Sequence, residues 1–259
     1  MKRPVFSPEL FNARVETQIQ SFFDAMNNLY GQKGWHPEPP RREDTTWRNT
    51  DFIVEIVERY RDGAYKRIRF TMRNLPGYAR RPSSPTGTRT IRYEHVFVFD
   101  LPREYPQSIG MIRPTAQTPL YHPRISARGT GPACYSVRGE LDRILEYLPF
   151  FVLLKPDHVE PPSKYKSDHG LNSAAMAWYE QNMEHIIGTL DRLWEERHNQ
   201  LTRQRQERIS DETQRGRVQI LDSTSSSRDS QRQPRILDSE SEERSQRVRI
   251  LEDEDTDDE

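Results

Sequence analysis

YPQSIGMIRPTAQTPLYHPRISARGTGPAC, residues 105–134, decides how this chain is read. It holds the sole cysteine of 259 residues, Cys134, twelve positions beyond His122 of a Tyr121-His122-Pro123 triplet. An isolated cysteine is more often a small buried hydrophobe than a nucleophile. This one follows Arg128-Gly129-Thr130-Gly131-Pro132, a composition that keeps backbone at the surface, where a side chain can be presented to a partner. Within three residues of it only Ala133, Tyr135 and Val137 are apolar, so it does not sit inside a core run.

Upstream, residues 90–101 alternate, with Ile91, Tyr93, His95, Phe97 and Phe99 on one face, and predict a strand. Residues 51–60 (DFIVEIVERY) and 65–72 predict two more strands around an Asp62-Gly63 turn, and residues 109–116 a weaker fourth. Residues 35–42 read as a Pro-rich loop and residues 74–88 as a Pro-, Gly- and Ser-containing one. Before the strands, Ser7-Pro8-Glu9 is a helix start, and Phe11, Val15, Ile19, Phe22, Phe23, Met26 and Leu29 recur at helical spacing to about Tyr30. After the cysteine, residues 141–154 (LDRILEYLPFFVLL) predict a buried helix that Pro149 must kink or divide. Leu171-Asn172-Ser173 opens another helix, striped by Ala175, Trp178, Ile186, Leu190 and Leu193. Helix, antiparallel meander and terminal helices together make an α+β layer.

Residues 1–194 are expected to form one domain, 195–210 a projecting or fraying helix, and 211–259 a disordered tail that cannot offset its ordering entropy by burial. The tail holds 15 acidic and 8 basic residues, so the first 210 residues carry a small basic excess. That excess is unclustered and accompanies no base-reading motif, which argues against nucleic acid. No apolar run reaches the ~18 residues of a membrane span. One cysteine excludes an internal disulfide and fits a reducing compartment, so the chain is expected to be cytoplasmic. His95, His158, His169 and His185 lack ligand spacing, and no glycine loop cradles phosphate. No metal or cofactor is expected.

The order of these pieces resembles the ubiquitin-conjugating enzyme family. Residues 99–106 (FDLPREYP) are similar to its strand and Tyr-Pro element, and Tyr121-His122-Pro123 to its Tyr-His-Pro-Asn. Cys134 stands in the place of its thioester cysteine, and residues 168–175 (DHGLNSAA) resemble the start of the helix after its active-site gate. The resemblance covers residues 7–194 and implies the family fold. It implies thioester transfer of a ubiquitin-like modifier through Cys134 to a substrate amine, with an activating enzyme and sometimes a ligase as partners. It also implies a loop-holding role for His122 and a part for Asp168 in receiving the amine.

Three departures mark a divergent member. Arg124 replaces the oxyanion-stabilising asparagine, the interval from His122 to Cys134 is longer than the family's, and the first helix is not basic. Arg124 and Arg128 either favour the thiolate and oxyanion or are solvated loop cations. His122 alternatively serves as a cysteine-hydrolase base, and Asp168 as a plain helix-start acid. A catalytically silent, modifier-binding scaffold is the alternative function.

The tail repeats one short unit. Val218, Ile220 and Leu221, then Ile236 and Leu237, then Val248, Ile250 and Leu251 each precede acids, with serines beside the acids of the first two. These resemble SUMO-interacting motifs, which bind by adding a strand to a sheet edge; the bland reading is a solubilising tail. No lysine follows Lys166, which fits a tail that recruits modifier without accepting it.

Overall fold

The computed structural model describes residues 6–35, 38–80, 89–105, 112–134, 140–159 and 172–225, with side chains as far as residue 211. It divides into two units, Met1–Arg208 and Ile209–Glu259.

In the first unit, helix α1 (Pro8–Gln32) begins where the Ser7 hydroxyl accepts the Leu10 N–H at 3.3 Å and Pro8 occupies the first turn. Its buried stripe, from Phe11 through Tyr30, lies against the sheet. Phe22 meets Phe52 and Phe70 edge-on at 5.2 and 5.3 Å. Each fully buried phenylalanine is worth about 2 kcal/mol over its exposed state.

Strands β1 (Arg41–Glu43), β2 (Thr46–Arg48), β3 (Phe52–Arg59), β4 (Tyr65–Met72), β7 (His95–Asp100), β8 (Thr115–Ala116) and β9 (Gly131–Pro132) form one antiparallel sheet in that order. Strands β5 (Gly77–Arg80) and β6 (Arg89–Arg92) pair separately. Across the main sheet Val54 faces Phe70, which faces Phe97, which faces Ala116. That row is buried, so the alternation read from sequence is the inward face of the sheet.

The four expected strands are present as β3, β4, β7 and β8, but the sheet is larger and the boundaries move. The β1–β2 hairpin turns through Asp44 at φ 52°, a left-handed conformation that a short polar side chain tolerates. Only Trp47 of that hairpin is buried, so it carries no alternating pattern to read. The long strand of residues 90–101 is broken at Tyr93-Glu94, where the chain passes from one sheet to the other. There His95 Nε2 reaches the carbonyls of Leu75 and Arg92, each at 3.1 Å. The expected loop at residues 74–88 contains β5. A Cβ on its Gly77 would lie 2.7 Å from the His95 ring, so only glycine lets this strand approach.

Helix α2 (Leu141–Val152) is continuous through Pro149. The proline falls in the last turn, where a single missing N–H does not divide the helix. Its N-terminus is capped from a distance. The Tyr105 hydroxyl accepts the Leu141 N–H at 2.7 Å and donates to Gln18, whose amide donates to Glu140.

Helix α3 (Ser173–Ser225) opens with the Asn172 side chain accepting the Ala175 N–H at 3.1 Å, and is interrupted at Asn182, whose φ and ψ are non-helical. Its buried stripe is Ala175, Tyr179, Ile186, Leu190, Trp194 and His198. The segment expected to project or fray is therefore anchored at its start. Arg197 donates to Asn74 Oδ1 at 3.0 Å and Arg205 to the Thr50 hydroxyl.

In the second unit the backbone is helical as far as Ser225, so Val218, Ile220 and Leu221 lie on helix where disorder is expected. The other repeats lie outside the described residues. Among the described residues, no helix is long and apolar enough to cross a membrane.

Candidate functional site

The segment between β8 and β9 folds back on itself through hydrogen bonds that its sequence supplies locally. Leu120 N–H donates to Gly129 O and Gly129 N–H to Ser126 O, each at 2.8 Å, and the Ser126 hydroxyl donates to Thr130 O. Gly129 holds φ +80°, and a Cβ there would lie 3.3 Å from the Leu120 backbone, so the loop closes on glycine. Gly131-Pro132 then pairs with Thr115-Ala116. The chain leaves that strand through Ala133, whose N–H donates to Pro114 O at 2.8 Å, and Cys134, whose N–H donates to Arg124 O at 2.9 Å. The sole cysteine is thus tied to the turn after the His-Pro pair, and it is half-buried.

His122 is fully buried beneath this turn and stacks on Phe151 of α2, ring centroids 3.8 Å apart. The Arg124 N–H donates to its Nδ1 at 2.9 Å. Nδ1 is therefore the acceptor, and the proton belongs on Nε2, which lies 3.0 Å from the Phe151 carbonyl. Burial, then the Arg124 charge, push its pKa well below the usual imidazole range. The ring is neutral, and both nitrogens are committed to holding the loop on α2.

Arg124 is buried as well. Its carbonyl meets Cys134, while its guanidinium donates to the Tyr147 hydroxyl of α2 at 3.5 Å, and Tyr147 in turn donates to His158 O at 2.5 Å. The sequence reading placed Arg124 either at the thiol or in solvent. It is not a solvated loop cation. Arg128, by contrast, is exposed.

Pro123 is buried, and its carbonyl accepts the Asn172 N–H at 3.2 Å, which ties the head of α3 to the same turn. Tyr121 N–H donates to Tyr78 O at 2.6 Å, and its ring leans on Trp178 at 5.3 Å. Arg89 caps both rings, at 5.0 Å from Tyr121 and 4.3 Å from Trp178. Asp168 lies outside the described residues.

The structure brings together Tyr121, His122, Pro123, Arg124 and Cys134. Sequence reasoning missed the residues that hold them: Tyr147, Phe151, Tyr78, Arg89 and, as a tether, Asn172. Asn172 alone carried a usable signal, as an N-cap. Among the described residues, no group of three or more His, Cys, Asp or Glu is placed to hold a metal ion. Chemically, the arrangement offers a half-buried cysteine at the end of a braced loop whose histidine has no free nitrogen to act as base. No protein-family model matches the chain, and no curated protein matches it.

Proposed function

We propose that this chain is a divergent ubiquitin-conjugating-enzyme-like acyl carrier, with Cys134 as the thioester residue. The observation that carries the reading is the junction of Cys134 N–H with the Arg124 carbonyl, directly after a His-Pro turn whose histidine is fully spent on structure. A cysteine hydrolase needs a base within reach of its sulfur; the neutral, doubly bonded His122 fits a carrier, which receives an already activated acyl group.

In the proposed cycle the Cys134 thiolate attacks the modifier's C-terminal carbonyl carbon, held as a thioester on an activating enzyme. The bond to the donor sulfur breaks and that thiolate leaves. A substrate amine later attacks the same carbon, the Cys134 thiolate departs, and the amine nitrogen loses a proton as the amide forms. ATP is consumed by the activating enzyme alone. Sulfur suits both halves, being a good nucleophile and a good leaving group. Arg124, in the place of the family's asparagine, supplies a buried positive charge beneath the turn, and Asp168 meets the incoming amine. The tail repeats recruit modifier, the first of them only after leaving the helical state.

The presence of Arg124 at that position also favours a second reading, a scaffold that binds modifier without transferring it. Loading reactions with activating enzyme, modifier and ATP separate the two. A carrier gives a thiol-sensitive adduct that becomes a thiol-resistant oxyester in Cys134→Ser and vanishes in Cys134→Ala. A scaffold gives binding without any adduct.

A further inference from the structure

The β5–β6 hairpin places Arg80 and Arg89 directly opposite each other at its loop end. Like charges at facing positions of an antiparallel pair repel, so this end of the hairpin favours an anion. Arg89 is exposed, and among the described residues no carboxylate forms an ion pair with it.

Arg89 is nonetheless held in place. Its guanidinium carbon lies 4.3 Å from the Trp178 ring centre and 5.0 Å from that of Tyr121. Those rings brace each other: Tyr78 meets Trp178 edge-on at 4.9 Å, and Tyr121 leans on the same indole at 5.3 Å. A guanidinium lying over ring faces keeps its in-plane N–H groups free to grip a carboxylate with two parallel bonds. Holding the side chain beforehand also removes part of the ordering cost that a solvated arginine meets on binding.

This platform adjoins the proposed thioester residue. Tyr121 stands three residues before Arg124, whose carbonyl accepts the Cys134 N–H at 2.9 Å. Three residues span at most roughly 10 Å. Helix α3, which carries Trp178, is tied to the same turn by the Asn172 N–H on the Pro123 carbonyl. An extended peptide advances about 3.3 Å per residue, so one whose lysine attacks at Cys134 brings a side chain about three to five residues away up to Arg89.

We propose that Arg89 is a specificity-determining residue, selecting acceptor peptides with an acidic side chain about three to five residues from the lysine to be modified. The proposal rests on the carrier reading above and names the substrate class of that same site. No bond is made or broken at Arg89. It holds the acid, the lysine amine stays longer beside the thioester, and added salt weakens the preference by screening the pair. Arg128, exposed on the loop before β9, is a second cation near the turn; it has no aromatic ring beneath it among the described contacts and serves as the comparison.

The test uses the full chain and three peptides that differ only at the positions three to five residues from a single lysine, filled by glutamate, alanine or arginine. Discharge of the loaded protein is read as the ratio of rates for the glutamate and alanine peptides, which cancels any general loss of activity. Wild type and Arg128→Gln should favour the glutamate peptide about fivefold at low salt. Arg89→Gln should bring the ratio to about one, and Arg89→Glu should turn the preference toward the arginine peptide. An arginine that served only to pack the rings would slow all three peptides alike. Fluorescence anisotropy of the labelled peptides on the unloaded protein gives Kd ratios that need no activating enzyme. Where the wild type fails to load, the carrier reading falls, and these ratios alone decide whether Arg89 grips an acid. Equal discharge of the glutamate and alanine peptides by loaded wild type, equal Kd values where loading fails, or a glutamate preference that survives Arg89→Glu would overturn the proposal.

Discussion

Replacing His122 by alanine removes the part that joins three pieces of this site. The Arg124 N–H loses the acceptor it has at 2.9 Å, in a buried position, which costs about 1–3 kcal/mol. The Phe151 carbonyl loses one donor but keeps another, the Leu154 N–H at 3.1 Å, so that side costs about 1 kcal/mol. Removing the buried imidazole, stacked at 3.8 Å on Phe151, leaves a cavity, adding roughly 1–2 kcal/mol. The sum, about 3–6 kcal/mol, is a large fraction of what a domain of this kind has in total. Urea unfolding at pH 7.5 measures it as a lowered midpoint with unchanged slope. His122→Asn, which can replace one of the two hydrogen bonds, should recover part of the loss. Because Arg124 also holds the Cys134 amide, the asparagine variant should show faster Cys134 alkylation while still folded. A loss below about 1 kcal/mol for His122→Ala, with unchanged thiol reactivity, would refute the idea that this ring braces the loop.

Three further outcomes follow from the same contacts. His95 is buried neutral with its pKa pushed down to about 4, chiefly by burial. Its unfolded form takes up a proton below about 6.5, so this group alone costs roughly 3 kcal/mol of stability as pH falls from 6.5 to 4. His122 acts in the same direction, and a stability flat across that window would contradict both. Gly77→Ala drives a Cβ to 2.7 Å from the His95 ring and 2.8 Å from Val152, and should cost about 1–3 kcal/mol in thermal or urea unfolding; a neutral substitution would mean that β5 moves freely. Arg124→Ala, if it folds, should still load modifier but discharge it to free lysine about 10²-fold more slowly. Equal losses in both steps would assign the residue to loop structure.

The sequence was most legible where periodicity and chain punctuation agree. Ser7-Pro8 and the apolar repeat of α1 predicted that helix, and Asp62-Gly63 framed β3 and β4, because inward side chains there are large and regularly spaced. The β1–β2 hairpin was hidden by a surface of arginine and glutamate with a single buried tryptophan. The break between β6 and β7 was hidden because alternation runs unbroken through Tyr93 and Glu94, although their neighbours serve different sheets. His122 was readable as a loop holder only through the family resemblance, since its partner Phe151 lies 29 residues away. His198 was missed for a similar reason. It sits in a polar helical stretch, and the Trp35 ring it stacks on and the Asp51 carboxylate it meets, 147 residues distant, lie far away in the chain.

The central claim is that Cys134 carries an acyl group, and intact-mass measurement with peptide mapping addresses it without reference to any downstream substrate. The full chain would be incubated with an activating enzyme, its modifier and ATP, then acid-quenched without reductant. The account predicts a gain equal to the modifier's mass less one water, mapped to the peptide containing Cys134 and lost on treatment with excess thiol. A modifier found on a lysine while Cys134 stays a free thiol throughout, or the same thiol-labile gain in Cys134→Ala, would contradict it.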